Sequence, residues 1–154
     1  MNTLLNDIRD VFSILHDGVI VDCEGDLNKL TLTIQCNYLA ELINPNFKNF
    51  HIDLIAITKL NFVPWVNPID LKAIQFKSHE EFLKVGLEII SAELKDGCVF
   101  VSCLQDNTDL DYSGGHLMIS AKDFNLYDHD KNTLTTDKLD SACRFYWDLY
   151  RRGE

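Results

Sequence analysis

Three features of the chain predict an α+β fold with a curved, mainly antiparallel sheet of about 7–8 strands. An amphipathic helix pattern opens the chain and a second one closes it. Between them, short runs alternate apolar and polar residues with a period of two. Alternation with one dry and one wet face favours antiparallel over parallel pairing. At 154 residues the chain has material for one ordinary core, so residues 1–154 are read as a single globular domain.

The opening helix is carried by Leu4, Leu5, Ile8, Val11, Phe12 and Leu15, which share one face at helical spacing. Asn2 or Thr3 can cap its start, and His16-Asp17-Gly18 ends it with Gly at C′. Strand-like residues follow at 19–23, then a polar loop at 24–28. In the next strand Leu30, Leu32, Ile34 and Cys36 oppose Lys29, Thr31, Thr33 and Gln35. The connector 37–49 holds a short helical turn at 38–42. Phe50, Ile52, Leu54, Ala56, Thr58, Leu60 and Phe62 then keep a period of two, as one long strand or two joined by a bend. Pro64 and Pro68 place Trp65 in a loop, because proline cannot join a ladder interior.

Another strand is expected at 71–77. Ser78 and Glu81 have the spacing of a capping box. A short helix at 79–85 and a strand at 87–95 are preferred to one long helix, because Gly86 costs a helix about 1 kcal/mol relative to Ala. Ile90, Ala92 and Leu94 then share a strand face. Asp96-Gly97 turns the chain into 98–104, a long loop leads to 116–121, and 124–128 makes a further strand. Thr136 caps the closing helix. Its stripe is Leu139, Ala142, Cys143, Tyr146, Leu149 and Tyr150, with Trp147 at the border.

Asp17-Gly18 and Asp96-Gly97 open similar runs, which suggests an internal repeat. The segments before them differ, however, so the pairs are expected to serve different turns: a helix end and a hairpin.

Composition narrows the function. The net charge is −10, with 14 Lys and Arg against 24 acids. Nucleic acid and anionic membrane both demand a dense basic surface, so neither is an expected partner. A basic protein is electrostatically easier. No segment approaches the ~20 apolar residues of a membrane helix. Asp7, Arg9 and Asp10 interrupt the beginning of the chain where a signal peptide needs an apolar run. The five cysteines, Cys23, Cys36, Cys98, Cys103 and Cys143, are odd in number and lack a Cys-x-x-Cys, which suits buried thiols in a reducing cytoplasm.

Catalytic patterns are few. Cys103 and His116 flank one loop, and a cysteine nucleophile needs its base within hydrogen-bond reach. A hairpin centred on that loop sets Cys103 opposite Leu117, which places the thiol and the imidazole on opposite faces. Asp106, Asp109 and Asp111 could offer oxygen ligands to a hard cation, but the loop lacks the Gly and Glu of an EF-hand. They are read as solvated turn acids. Ser113-Gly114-Gly115 leads into a strand rather than a helix, so it lacks the setting of a phosphate loop. No cofactor is expected.

Leu15-His16-Asp17-Gly18 with its following hairpin, and Tyr112-Ser113-Gly114-Gly115 before a strand, resemble segments of small bacterial α+β domains. Some of these are similar to immunity proteins of toxin loci. The resemblance spans about a third of the chain. It implies a protein-binding domain and no catalytic residue.

The expectation is therefore a non-enzymatic, immunity-like protein whose acidic and aromatic surface engages a basic protein. Trp65, Phe145 and Trp147 are the aromatic candidates, since exposed aromatics beside arginines are hot-spot material. The alternative is a small-molecule binder or enzyme with a sheet cavity lined by His51, Asp53 and Trp65. A further alternative is a homodimer or larger homo-oligomer joined through an edge strand or the final helix.

Overall fold

Six antiparallel strands close into a barrel in the computed structural model, which describes residues 3–65, 76–110 and 112–151. The strands are β1 (Val19–Gly25), β2 (Lys29–Gln35), β3 (Asn49–Pro64), β4 (Leu87–Lys95), β5 (Cys98–Leu104) and β6 (Gly114–Tyr127). Around the barrel they run β1-β2-β3-β6-β5-β4. The helices are α1 (Thr3–Ile14), α2 (Asn37–Ile43), α3 (Glu80–Leu83) and α4 (Thr136–Arg151). The α+β class, the antiparallel sheet and the two terminal helices are as the sequence predicts.

The strand count is lower than expected among the described residues. Segments 116–121 and 124–128 belong to one strand, because β6 keeps its pairing with β3 through Asp123, opposite Ile55. Most of the strand expected at 71–77, together with Pro68, lies outside the described residues.

Both long strands bend where the simple alternation breaks. In β3, Phe50, Ile52 and Leu54 point into the core, but Ala56 takes a left-handed φ of 51°. The register slips between Ile57 and Lys59. Ile57 is consequently buried while Thr58, expected on the core face, is exposed. A bulge re-aims side chains and increases the local twist, which closing a small barrel requires. The β1–β2 loop docks against this bend, its Leu27 and Asn28 carbonyls accepting the Ile57 and Ala56 amides at 2.8 and 2.9 Å.

A similar slip in β4 falls between Ile89 and Ser91. Leu87 and Ile89 point inward before it, and Ala92 and Leu94 do so after it. Ile90 is the extra residue and is exposed, so it does not share the face of Ala92 and Leu94. Closure itself is short. β1 and β4 pair only through Val19–Glu88 and Ile20–Leu87. The Asp17 amide on the Ile89 carbonyl, and the Ile89 amide on that of Gly18, lengthen the seam, both at 2.8 Å.

The two Asp-Gly pairs do serve different turns. Asp96 and Gly97 both take positive φ, 54° and 72°, as a two-residue hairpin of right-handed strands requires. At the end of α1 it is Asp17, not Gly18, that adopts the left-handed conformation, with φ 69°. Gly18 is needed for space, since a Cβ there would crowd the Leu15 carbonyl and the side chains of Ile34 and Cys36. The expected capping box also shifts. His79 is the N-cap of α3, and Glu81 accepts a hydrogen bond from the Lys77 amide at 3.1 Å.

The barrel interior is filled by apolar side chains from all six strands, among them Ile20, Leu32, Phe50, Leu87, Val101 and Leu117, each fully buried. α1 lies against β4, β5, β6 and α4. It buries Leu5, Ile8, Val11, Phe12 and Leu15, each contributing about 1.5–3 kcal/mol by removal from water. α2 bridges β3 and α4, and α3 covers β1 near the seam.

Candidate functional site

On the outer face of the barrel, cross-strand neighbours form two polar rows. Thr33, His51 and Tyr127 lie side by side on β2, β3 and β6, and Thr31, Asp53 and Asn125 form the next row. This follows from the sequence. Period-two alternation sends Phe50, Ile52 and Leu54 inward, so the odd-numbered residues between them face out.

Asp53 is only 6% exposed, which is exceptional for a carboxylate on an outer face. The Thr31 hydroxyl donates to its Oδ1 at 2.6 Å, and Lys29 Nζ stands 3.6 Å from Oδ2. Burial of a carboxylate is tolerable only with such partners. His51 is held at both nitrogens. Its Nδ1 lies 3.2 Å from the Thr33 hydroxyl, and its Nε2 lies 3.4 Å from the His129 carbonyl oxygen. A carbonyl only accepts, so Nε2 carries the proton and Thr33 donates to Nδ1.

The loop after β6 completes the enclosure. Asp128 Oδ1 accepts the amides of Asp130 and Asn132 at 3.0 and 2.9 Å. The His129 ring stacks on Phe47, and its Nδ1 accepts the amides of Lys48 and Asn49, both at 3.2 Å. This turn carries Lys131 to the rim of a groove of about 280 Å³ that Lys29, Thr31, His51, Asp53, Tyr127 and Lys131 line.

Trp65 is elsewhere. Its amide extends the β3–β6 ladder by donating to the Gly114 carbonyl at 2.8 Å, and its ring meets His116 edge-on at 5.3 Å. It lines a separate cleft of about 450 Å³ with Gln105, Asn107, Leu110 and Tyr112. The structure thus brings His51 and Asp53 together but not with Trp65, because the eleven β3 residues 54–64 separate Asp53 from Trp65 along the barrel wall.

No protein-family model matches the chain, and no curated protein or solved structure does.

Phe145 and Trp147 occupy a third place, on α4. Phe145 is 55% exposed and Tyr150, expected on the buried stripe, is 67% exposed. Trp147 is half-buried, stacked on His16 at 5.6 Å and edge-on to Tyr146 and Tyr150. Leu139 is the one α4 residue fully buried. The stripe is covered only where α1 and α2 reach it, so its last two turns remain half in solvent.

The Cys103–His116 separation agrees with the expected opposite faces, though the register differs. Cys103 pairs with Gly115 rather than Leu117, an even shift that preserves facing. Burial pushes the Cys103 thiol up to about 12, so it is a packing group and a poor nucleophile. His116 Nδ1 lies instead 3.2 Å from Ser102 Oγ, its cross-strand neighbour.

Asp106 and Asp109 are exposed in a loop that Gln105 organises through the Asn107 amide and the Tyr112 carbonyl, and Asp111 lies outside the described residues. Among the described residues no group of three or more His, Cys, Asp or Glu is placed to hold a metal ion.

The sequence reading missed Lys29, Thr31, Tyr127 and Lys131 as partners of His51 and Asp53. Strand parity carried part of the signal, since Lys29 and Thr31 are on the polar face of β2. Which strand lies beside β3 on its other side is a matter of topology.

Proposed function

We propose that this chain is a non-enzymatic protein-binding domain, of immunity-like type, that engages a basic protein through the aromatic surface of α4. The supporting observation is the open half of that helix. Phe145 and Tyr150 stand in solvent, beside half-buried Tyr146 and Trp147 and with Arg144 and Arg151 flanking them. Tyr, Trp and Arg dominate the energetics of protein interfaces. Tyr146, Trp147 and Tyr150 share the stripe, while Phe145, about 140° round the helix from Tyr150, lies off it, and large apolar groups left uncovered on both support an interaction surface.

Charge supports the nature of the partner. α4 itself is balanced, with Asp137, Asp140 and Asp148 against Lys138, Arg144 and Arg151. The net charge of −10 on the whole chain supplies a long-range field that steers a basic protein and repels an acidic one. A cytoplasmic location is part of this proposal, and the five free thiols, four of them buried, support it.

The test is affinity capture of a basic protein at low salt by the wild-type chain and by the double variant Phe145→Ala/Tyr150→Ala. Binding that weakens with rising salt and is lost in the double variant supports the reading. No captured protein, or equal capture by the variant, ends it.

A further inference from the structure

We infer that the outer groove between β2, β3 and the loop after β6 is a binding site for a small hydroxylated anion, of the size and chemistry of a carboxylated or phosphorylated sugar. This assignment is independent of the α4 surface.

Four observations converge. First, the groove presents complementary groups for two ends of one ligand. Lys29 and Lys131 supply ammonium groups, and Asp53 supplies a carboxylate between the strands. Thr31 occupies Oδ1 of Asp53, while Oδ2 has Lys29 at 3.6 Å and no closer donor among the described residues. A carboxylate accepts on both oxygens, so Oδ2 is available to a ligand hydroxyl. The anionic end of the same molecule then meets the two lysines.

Second, the Tyr127 hydroxyl and the Lys131 ammonium line the groove without a hydrogen bond or ion pair to any described residue. Third, Lys131 holds φ at 66°, a conformation that Gly or Asn adopts with less strain. The Asp128 turn enforces it, the Lys131 amide donating to the Asp128 carbonyl at 3.0 Å. Strain held by surrounding structure at the rim of a polar groove is characteristic of ligand sites. Fourth, the lining carries two ammonium groups, Lys29 and Lys131, against the single carboxylate of Asp53, which Thr31 and Lys29 already engage, in a chain of net charge −10. A volume of about 280 Å³ suits a single sugar-sized molecule.

The test is an amide NMR titration of the full chain with glucuronate and with glucose 6-phosphate, beside glucose and inorganic phosphate as controls. Saturable shifts at Thr31, Asp53, Asn125, Tyr127 and Lys131 are expected from at least one anionic sugar. Lys131→Ala and Tyr127→Phe should each weaken that binding by roughly tenfold or more, the loss of a charge-assisted or polar contact. Response to glucuronate alone assigns a carboxylate ligand, and response to glucose 6-phosphate alone assigns a phosphate ligand. The inference is overturned if neither sugar saturates, if inorganic phosphate alone reproduces the shifts, or if both variants bind as the wild type does.

Discussion

The Thr31 hydroxyl donates to Asp53 Oδ1 at 2.6 Å across the β2–β3 pair, on a face of the barrel where Asp53 is nonetheless 94% shielded from solvent. The bond is charge-assisted and supports a carboxylate whose other close contact is the longer one to Lys29. Thr31→Val keeps the shape and removes the donor. It should cost about 2 kcal/mol in urea unfolding, within the range for a hydrogen bond to a charged group, whereas Thr31→Ser should cost much less.

Lys131 gives the opposite sign. Replacing it by Gly removes the Cβ that its left-handed backbone disfavours. Lys131→Gly is expected to leave the fold intact and raise its stability by up to about 1 kcal/mol, read as a higher urea midpoint.

Gly115 tests the barrel wall. It sits in β6 with the Val63 carbonyl, the Phe62 ring and Pro64 Cα against the position of a Cβ. Two of those neighbours are backbone and cannot rotate away. Gly115→Ala should destabilise by about 1–3 kcal/mol, the usual cost of overpacking, with a lowered thermal midpoint.

Two turns of one helix should differ sharply in their response to truncation. Leu139 is fully buried, and Leu139→Ala is expected to cost about 2–5 kcal/mol. Phe145 is on the open half, and Phe145→Ala should stay within about 0.5 kcal/mol of wild type. Parallel denaturant curves for the two variants check this pair.

The buried thiols set an alkaline limit. Burial pushes both Cys36 and Cys103 from an ordinary 9.0 up to about 12. The folded chain therefore holds protons that the unfolded chain releases above pH 9. The contribution of each thiol is complete below that pH and is lost as pH rises toward about 12, at roughly 1.4 kcal/mol per pH unit per thiol. Urea midpoints should fall between about pH 8 and about pH 10. In the native state a thiol reagent should modify half-buried Cys143 well before Cys36 or Cys103.

Local pattern was a good guide wherever one element buries one regular face. The α1 stripe, the alternation of β2 and the hairpin at Asp96-Gly97 all appear as read. The pattern misled where the strand is not regular. A period of two puts Thr58 and Ile90 on core faces, but each sits at a bulge that shifts the count. A bulge is selected by the curvature needed to close the barrel, which no short window of sequence contains. Tyr150 was misplaced for a related reason. Its helix periodicity is correct, but α1 and α2 do not extend far enough to cover it.

By itself the sequence determined the class of this protein: two amphipathic helices around an antiparallel sheet, an acidic surface, and cysteines packed in apolar runs. These follow from residue type and spacing, which act locally. Only the tertiary structure decided that the sheet closes, with β6 inserted between β3 and β5. That order places Tyr127 and the Lys131 turn beside His51 and Asp53, and it leaves Trp65 in a different cleft. Strand neighbours that are distant in sequence are chosen by burial of the whole core, so the candidate groove exists only once the barrel has formed.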